Sequence, residues 1–162
     1  RTPSTGGLCT LECVDAAGMD LRPVIFEDKS IVLQIDVPVD VGRQHQVNFF
    51  DRLLNKEPRW LTFISRSHCR LTLERGNSNS SSQPLRVEDL AKLSAPTVRV
   101  ENLSNNVIFV GDERLGKGHS GTLTDSGLLE FAAAPDGPNN IVKFLKFRLR
   151  RQQNTGRRNS QS

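Results

Sequence analysis

The chain has 162 residues, of which 36% are hydrophobic, and it carries a formal net charge of +4. A chain of this length forms one domain with a core of its own, so we expect no metal or disulfide scaffold. It contains no run of the ~20 apolar residues needed to span a bilayer, and its three cysteines are unlike the dense even pairing of small secreted domains, so we expect no membrane segment and a reducing intracellular compartment.

The positive excess is concentrated near the C-terminus, in Arg148, Arg150, Arg151, Arg157 and Arg158. Without these five arginines the net charge falls to about −1, so the body of the chain is nearly neutral. We predict a flexible basic tail over residues 151–162 and an N-terminal extension over residues 1–7. Binding to nucleic acid is not expected, except through this tail.

Alternation of apolar and polar residues, the spacing of a β-strand, recurs along the chain. It begins with Ile31, Leu33 and Ile35, and it returns around residues 71–73, 98–101, 107–110, 128–131 and 145–150. Turn-forming residues separate these stretches at intervals too short for the crossover helices of a parallel sheet. We therefore predict at least seven short strands in an antiparallel sandwich or barrel.

Helical spacing is weak. One turn is predicted at residues 52–56, before Pro58, and two turns at residues 87–94, and neither is long enough to organise a fold. The polar run at residues 76–83 cannot bury enough surface to become ordered. We therefore predict a surface insertion over residues 76–96 within a single domain that spans residues 8–150.

Three separated segments place polar groups at the ends of predicted strands. An apolar strand ends in Gly42 and Arg43, the segment 64–71 contains Ser65 and Arg66 just before a strand, and the segment 100–110 holds a turn rich in amides. A phosphate monoester carries about −1.5 to −2 charges and three acceptor oxygens, so a receptor for it needs guanidinium, hydroxyl and amide groups that converge from loops. The three segments supply all of these groups.

The order of these motifs resembles that of forkhead-associated (FHA) domains. A Gly-Arg pair, a Ser-x-x-His motif at residues 65–68, a Leu-Ser-x-Asn turn at 103–106, Glu-Arg-Leu at 113–115 and Leu-Leu-Glu-Phe at 128–131 follow one another. The resemblance covers residues 8–150 and implies an all-β antiparallel sandwich of the FHA/SMAD-like type. It also implies a module without catalysis, cofactor or metal that binds phosphothreonine peptides, and a monomeric domain in an intracellular setting such as the nucleus.

The resemblance assigns roles to individual residues. Arg43 and Ser65 would bind the phosphate, and Arg66 would assist them. Asn106 would hold the peptide backbone, and Asn105 lies where a small polar residue adds a contact. The partner implied is a protein that contains phosphothreonine, to which the module would recruit its host protein; this Arg-cluster mode of recognition is a general one.

Two further residues would support the site, and one departs from the pattern. Gly42 would let the backbone turn, and His68 would brace the loops without touching the phosphate. Val107 stands where the family has a glycine. A β-branched residue resists a positive φ, so we predict a turn of a different shape around Asn106.

Other motifs are better explained by structure than by chemistry. The segment 111–118 imitates a phosphate-binding loop, but it ends in Gly118 instead of a hydroxyl residue, so we predict a hairpin turn. A hydrolase nucleophile elbow needs its second glycine two residues after the serine, whereas in the segment 118–121 the glycine follows the serine directly. Cys9 and Cys13 lie on one face of a strand, and we predict buried apolar thiols there in preference to a zinc site with residues 68–69.

Two alternative functions remain open at this point. A sandwich that has lost phosphate recognition would act as a phosphate-independent scaffold for protein binding, and Val107 is the evidence for it. A nucleic-acid module would act through the basic tail. Its binding would depend steeply on salt and would disappear when residues 152–162 are removed.

Overall fold

The structure is a computed structural model that describes residues 8–74 and 96–151. Within these residues ten β-strands form two antiparallel sheets, which confirms the predicted all-β antiparallel sandwich. The first five strands are β1 (Leu8–Ala16), β2 (Ser30–Gln34), β3 (Val39–Val41), β4 (Cys69–Glu74) and β5 (Thr97–Asn102). The other five are β6 (Ile108–Val110), β7 (Glu113–Leu115), β8 (Ser120–Leu123), β9 (Leu128–Ala133) and β10 (Val142–Arg151).

The larger sheet has six strands in the order β2-β1-β10-β9-β6-β7, and the smaller has four in the order β3-β4-β5-β8. Most strands alternate between core and surface, as the sequence predicts, but the last five residues of β9 are all buried. In β4, for example, Leu71 and Leu73 are fully buried while Arg70 is exposed. Complete burial of one such leucine stabilises the fold by about 1.5–3 kcal/mol. No helix among the described residues is long and apolar enough to cross a membrane.

Two of the helical segments lie between β3 and β4 and cover the core. The α-helix, α1, spans Phe49–Leu53, and a 3-10 helix spans Pro58–Phe63. The turn predicted at residues 52–56 is therefore displaced toward the N-terminus. Packing explains the displacement, because Phe49, Phe50 and Leu53 are buried whereas residues 55–57 are exposed. A second 3-10 helix spans Phe26–Lys29.

Aromatic rings connect these helices to the larger sheet. Trp60 stacks on Phe144 at 5.0 Å between ring centroids, and Phe50 lies 6.3 Å from Phe131. A register shift between Lys143 and Leu145 turns both Phe144 and Leu145 into the core, as a β-bulge does. The bulge thus supplies the partner ring for Trp60.

The C-terminal arginines do not all belong to a tail. β10 extends to Arg151 because its buried side chains, Phe147 and Leu149, hold it in the larger sheet between β1 and β9. Arg148 and Arg150 are therefore surface residues of a central strand, and the strand ends at Arg151, the first residue of the predicted tail. The rest of the tail, the N-terminal extension and the turns at residues 87–94 lie outside the described residues, as does the insertion except for the buried Pro96.

The three cysteines are buried free thiols. Burial raises the pKa of the Cys13 thiol to about 12 and raises that of Cys69 further, so both are protonated at neutral pH. In the parts of the chain that the structure covers, no group of three or more potential ligands could hold a metal ion. The thiols therefore act as small apolar core residues.

Candidate functional site

Three loops meet beside the β3 and β4 ends and are joined to one another by backbone hydrogen bonds. They are loop A (residues 42–48), loop B (residues 64–68) and loop C (residues 103–107). Arg43 N donates to Ser65 O at 3.1 Å, and Leu103 N donates to His68 O at 2.9 Å. The first bond joins loop A to loop B and the second joins loop B to loop C, so the side chains of all three are held in one arrangement.

Gly42 is required by the close approach of loops A and B. A Cβ atom at this position would lie 2.0 Å from the carbonyl oxygen of Arg66 and 2.8 Å from that of Ser65. The φ of Gly42 does not lie in the left-handed region, so the glycine serves the approach of two backbones and not an unusual turn. Its own N–H donates to Gln46 Oε1 at 2.9 Å, inside loop A.

Arg43 and Arg66 are exposed, and each belongs to a different loop. Arg43 Nε donates to Ile64 O at 2.6 Å, which anchors the guanidinium and leaves the N–H groups of its terminal nitrogens available. Within residues 8–74 and 96–151, neither arginine forms an ion pair, whereas the nearby Arg70 is paired with Asp40 at 2.7 Å. Loops A and B therefore present positive charge that no described carboxylate neutralises.

Ser65 connects loops B and C through its side chain. Its Oγ lies 3.0 Å from Ser104 Oγ, and Ser104 Oγ also accepts a hydrogen bond from Asn106 N at 3.0 Å. Ser104 is buried, whereas Ser65 is half-buried and retains acceptor and solvent-facing capacity. The hydroxyl of Ser65 thus links loop B, which carries Arg66, to loop C.

His68 lies beneath the loops and is completely buried. Its ring stacks on Phe131 at 4.3 Å, and its Nδ1 accepts a hydrogen bond from Ser65 N at 3.0 Å. Burial lowers the pKa of His68 to about 4, so the ring is neutral at neutral pH and its proton resides on Nε2. A neutral buried ring orients loop B and contributes no charge to a ligand.

Asn102 organises loop C from below and was not singled out by sequence reasoning. Its Nδ2 donates to Asn106 O at 3.0 Å and to Leu115 O at 2.9 Å, and its Oδ1 accepts from Ser104 N at 2.9 Å. The side chain is fully buried. A signal for it exists in the sequence, because the alternation of β5 places Asn102 on the core-facing side with Val100.

Asn105 and Asn106, the predicted peptide-binding amides of loop C, differ in their contacts. Asn106 Nδ2 donates to Phe63 O at 2.9 Å, so this amide links loop C to the 3-10 helix, while Asn105 is exposed. Val107 does not have a positive φ, which explains how loop C accepts a β-branched residue where the pattern has glycine.

His45 and Ser67 form a further polar pair at the surface of loops A and B. His45 Nε2 lies 2.8 Å from Ser67 Oγ. Sequence reasoning did not select either residue as a ligand, and only the approach of two loops 22 residues apart brings them together. Ser67 directly follows Arg66 in sequence and adds a second hydroxyl to loop B.

The remaining motifs are structural in the parts of the chain described. Residues 111–118 contain β7 and the two-residue turn of the β6–β7 hairpin, in which Gly111 has a φ of 61°. A glycine in the left-handed region at the first turn position is typical of tight hairpins. Ser120 begins β8 and pairs with Glu101 in β5, so the segment 118–121 is not a strand-to-helix elbow.

Comparison with known proteins gives a match at the level of fold. No family model matches the chain, and no curated protein matches its sequence. The crystal structure of the MEK1 FHA domain is similar with a TM-score of 0.50 and 16% identity, over 89% of this chain and 89% of that chain. The solution structure of the FHA2 domain of Rad53, complexed with a phosphotyrosyl peptide derived from Rad9, has a TM-score of 0.49 and 18% identity, over 93% of this chain and 80% of that chain. The chain therefore has the fold of a forkhead-associated domain.

Proposed function

We propose that the chain is a phosphopeptide-binding module that holds a phosphothreonine of another protein in the loop cluster and so recruits its host protein to that partner. The observation that carries the proposal is the pair of exposed guanidinium groups of Arg43 and Arg66, which have no carboxylate partner among the described residues. They lie on loops A and B, which are hydrogen-bonded through their backbones, and Ser65 directly precedes Arg66 in loop B.

The chemistry of a phosphate monoester matches this arrangement. Its three oxygens accept hydrogen bonds, and each bond to an ionised donor contributes about 1.5–3 kcal/mol. Arg43 would act as the principal ligand because its Nε bond to Ile64 O fixes the guanidinium in advance. Fixing it in advance lowers the entropy that is lost on binding. Arg66 and Ser65 would complete the shell.

The rest of the cluster supports this role. His68 and Asn102 hold loops B and C from the buried side, and Gly42 permits loops A and B to touch. Asn106 and the exposed Asn105 lie on loop C, where they would contact the backbone of an extended peptide. Binding of this kind makes and breaks no covalent bond, so the proposed module is not an enzyme.

A peptide titration tests the proposal. We would titrate the protein against a degenerate phosphothreonine peptide library by fluorescence anisotropy, with phosphoserine and unphosphorylated libraries as controls. We expect selective binding of phosphothreonine with a Kd around micromolar, or about −8 kcal/mol. A folded protein that binds none of the libraries would replace the proposal with a phosphate-independent scaffold.

An arginine variant tests the assignment within the site. Arg43→Ala should weaken phosphopeptide binding by about 2–4 kcal/mol while the protein stays folded, because the side chain is exposed. Arg70→Ala is the matched control, since Arg70 is also an exposed arginine at the β3 and β4 ends but is paired with Asp40. Equal affinities of the two variants would contradict the assignment of Arg43.

A further inference from the structure

The outer face of the six-stranded sheet carries a row of cations on its central strand. In β10 the buried Phe147 and Leu149 alternate with Lys146, Arg148 and Arg150, which point away from the core. Alternate residues of an antiparallel strand are ~6.8 Å apart, so the three charges form a straight row. Each of these three side chains can therefore contact a different charged group of an extended ligand.

Lys143 of β10 and Arg114 of β7 add to this row. Lys143 contacts Glu130 and lies over the ring of Phe109. Arg114 is opposite Phe109 in the β6–β7 register, so its side chain is on the same face of the sheet as Phe109 and Lys143. We call this surface the β10 basic face, and it consists of Arg114, Lys143, Lys146, Arg148 and Arg150.

The carboxylates on the same face do not neutralise it. Glu130 is shared by Lys143 and Lys146, at 3.1 Å and 3.7 Å. Glu12 is likewise shared by Arg150 at 2.7 Å and by Lys29 at 3.8 Å. Each of these carboxylates therefore leaves one positive charge in excess.

Arg148 and Asp15 complete the charges of this face. Arg148 donates to the Ser126 carbonyl at 2.9 Å and has no carboxylate partner within the described ranges. Asp15 is aligned with Lys146 in the β1–β10 register, and it is the third carboxylate on this side of the sheet. Five cations of the β10 basic face, joined by Lys29, thus face three carboxylates.

The outer face of the four-stranded sheet differs in sign. There the register aligns Asp40, Arg70 and Glu101 in one row, and Arg99 lies between two threonines in the next. Glu74 is a third carboxylate on that side. Two arginines thus face three carboxylates, so among the strand residues described the excess of positive charge lies on the outer face of the larger sheet.

We propose that the β10 basic face binds the phosphate backbone of a nucleic acid. A row of cations at regular spacing suits contacts with successive phosphates, which position a protein without reading base sequence. A protein partner fits less well, because the centres of protein interfaces are depleted of charge and enriched in aromatic residues. On this face the ring of Phe109 is covered by Lys143 at 4.3 Å.

This proposal is independent of the proposed phosphopeptide site. The β10 basic face consists of strand residues on the outer face of the larger sheet, whereas Arg43, Ser65 and Arg66 belong to loops. It also differs from the prediction made from charge alone, which assigned affinity for nucleic acid to the tail. Arg148 and Arg150 are held by a paired strand, so they would lose little conformational freedom on binding.

Anisotropy titrations of a short fluorescein-labelled duplex DNA with the full chain test the proposal. Arg148→Gln combined with Arg150→Gln should reduce the slope of log K against log salt by about 2, and should weaken binding roughly eightfold per arginine at ~0.1 M salt. Arg70→Gln combined with Arg99→Gln is the matched control on the other sheet and should retain binding. Phosphopeptide affinity should be unchanged in the β10 variant, which also shows that it is folded.

Four results would overturn the proposal. The first is a wild-type chain that does not bind the duplex at low salt, and the second is a control variant that loses as much affinity as the β10 variant. The third is a loss of binding only when Arg157→Gln is combined with Arg158→Gln, which would assign the affinity to the tail. The fourth is a polyglutamate peptide that binds through Arg148 and Arg150 more tightly than DNA does, which would identify an acidic protein as the partner.

Discussion

Acidification should destabilise the fold through His68. The ring is completely buried, stacked on Phe131, and accepts a hydrogen bond from Ser65 N, so the folded state holds it neutral. An unfolded chain exposes the same ring to water, where its pKa is about 6.5. The informative perturbation is His68→Asn, which removes the titrating group but keeps an acceptor for Ser65 N.

The magnitude follows from the pKa of His68, which burial lowers to about 4 in the folded state. Above about pH 6.5 neither state protonates the ring, and stability is independent of pH at this group. As the pH falls from 6.5 toward 4, only the unfolded state gains the proton, so stability is lost progressively. The loss is about 2 kcal/mol by about pH 5 and about 3 kcal/mol once the pH is below 4.

Urea unfolding between about pH 8 and pH 5 measures this effect. His68→Asn should be less stable than wild type at pH 8, because the stack on Phe131 is lost, and this difference should shrink by about 2 kcal/mol at pH 5. His45→Asn, at an exposed histidine, should follow the wild-type curve. Parallel curves for wild type and His68→Asn would refute the reasoning. So would an NMR titration of the wild-type His68 ring with a midpoint near 6.5, a test that does not require the variant to fold.

The other predictions concern the packing of the loops. Gly42→Ala should lower the free energy of unfolding by about 1–3 kcal/mol and weaken phosphopeptide binding, because its Cβ would lie 2.0 Å from a backbone oxygen. Gly116→Ala is the control and should be nearly neutral, since its Cβ would meet no atom nearer than 3.7 Å. Equal melting temperatures of the two variants would refute the argument. Asn102→Ala should cost about 3 kcal/mol in urea unfolding because it leaves buried backbone groups unpaired, and a loss no larger than that of the exposed Asn105→Ala would contradict this account. Val107→Gly should lower stability by about 0.5–1 kcal/mol, because the valine is not in a positive-φ conformation, and a more stable variant would show that it strains the loop.

Much of the fold could be predicted because strand alternation is local. Residues 71–73 and 145–150 show which side chains enter the core before any pairing is known, and the structure places them in β4 and β10 as expected. The helical turn was misplaced for the opposite reason. Phe49 and Phe50 form a helix by packing against rings of the larger sheet, and no spacing within residues 49–53 reveals those partners.

The motif order made the candidate ligands predictable, together with the supporting residues Gly42 and His68, but not the buried polar residues beneath loop C. Arg43, Ser65 and Arg66 stand in motifs whose order can be read directly, and the structure brings their loops into contact. Asn102 and Ser104 escaped notice because their importance comes from buried hydrogen bonds.

The sequence by itself determined the strand pattern, the antiparallel class and the candidate phosphate ligands, because side-chain alternation and motif order are properties of neighbouring residues. Tertiary structure decided why Gly42 must be glycine, how Asn102 supports loop C, and that Arg148 and Arg150 form a surface of the larger sheet. These depend on segments distant in the chain, such as β1 pairing with β10, and on the distance at which two backbones meet. Only strand pairing and the packing of the two sheets set those distances.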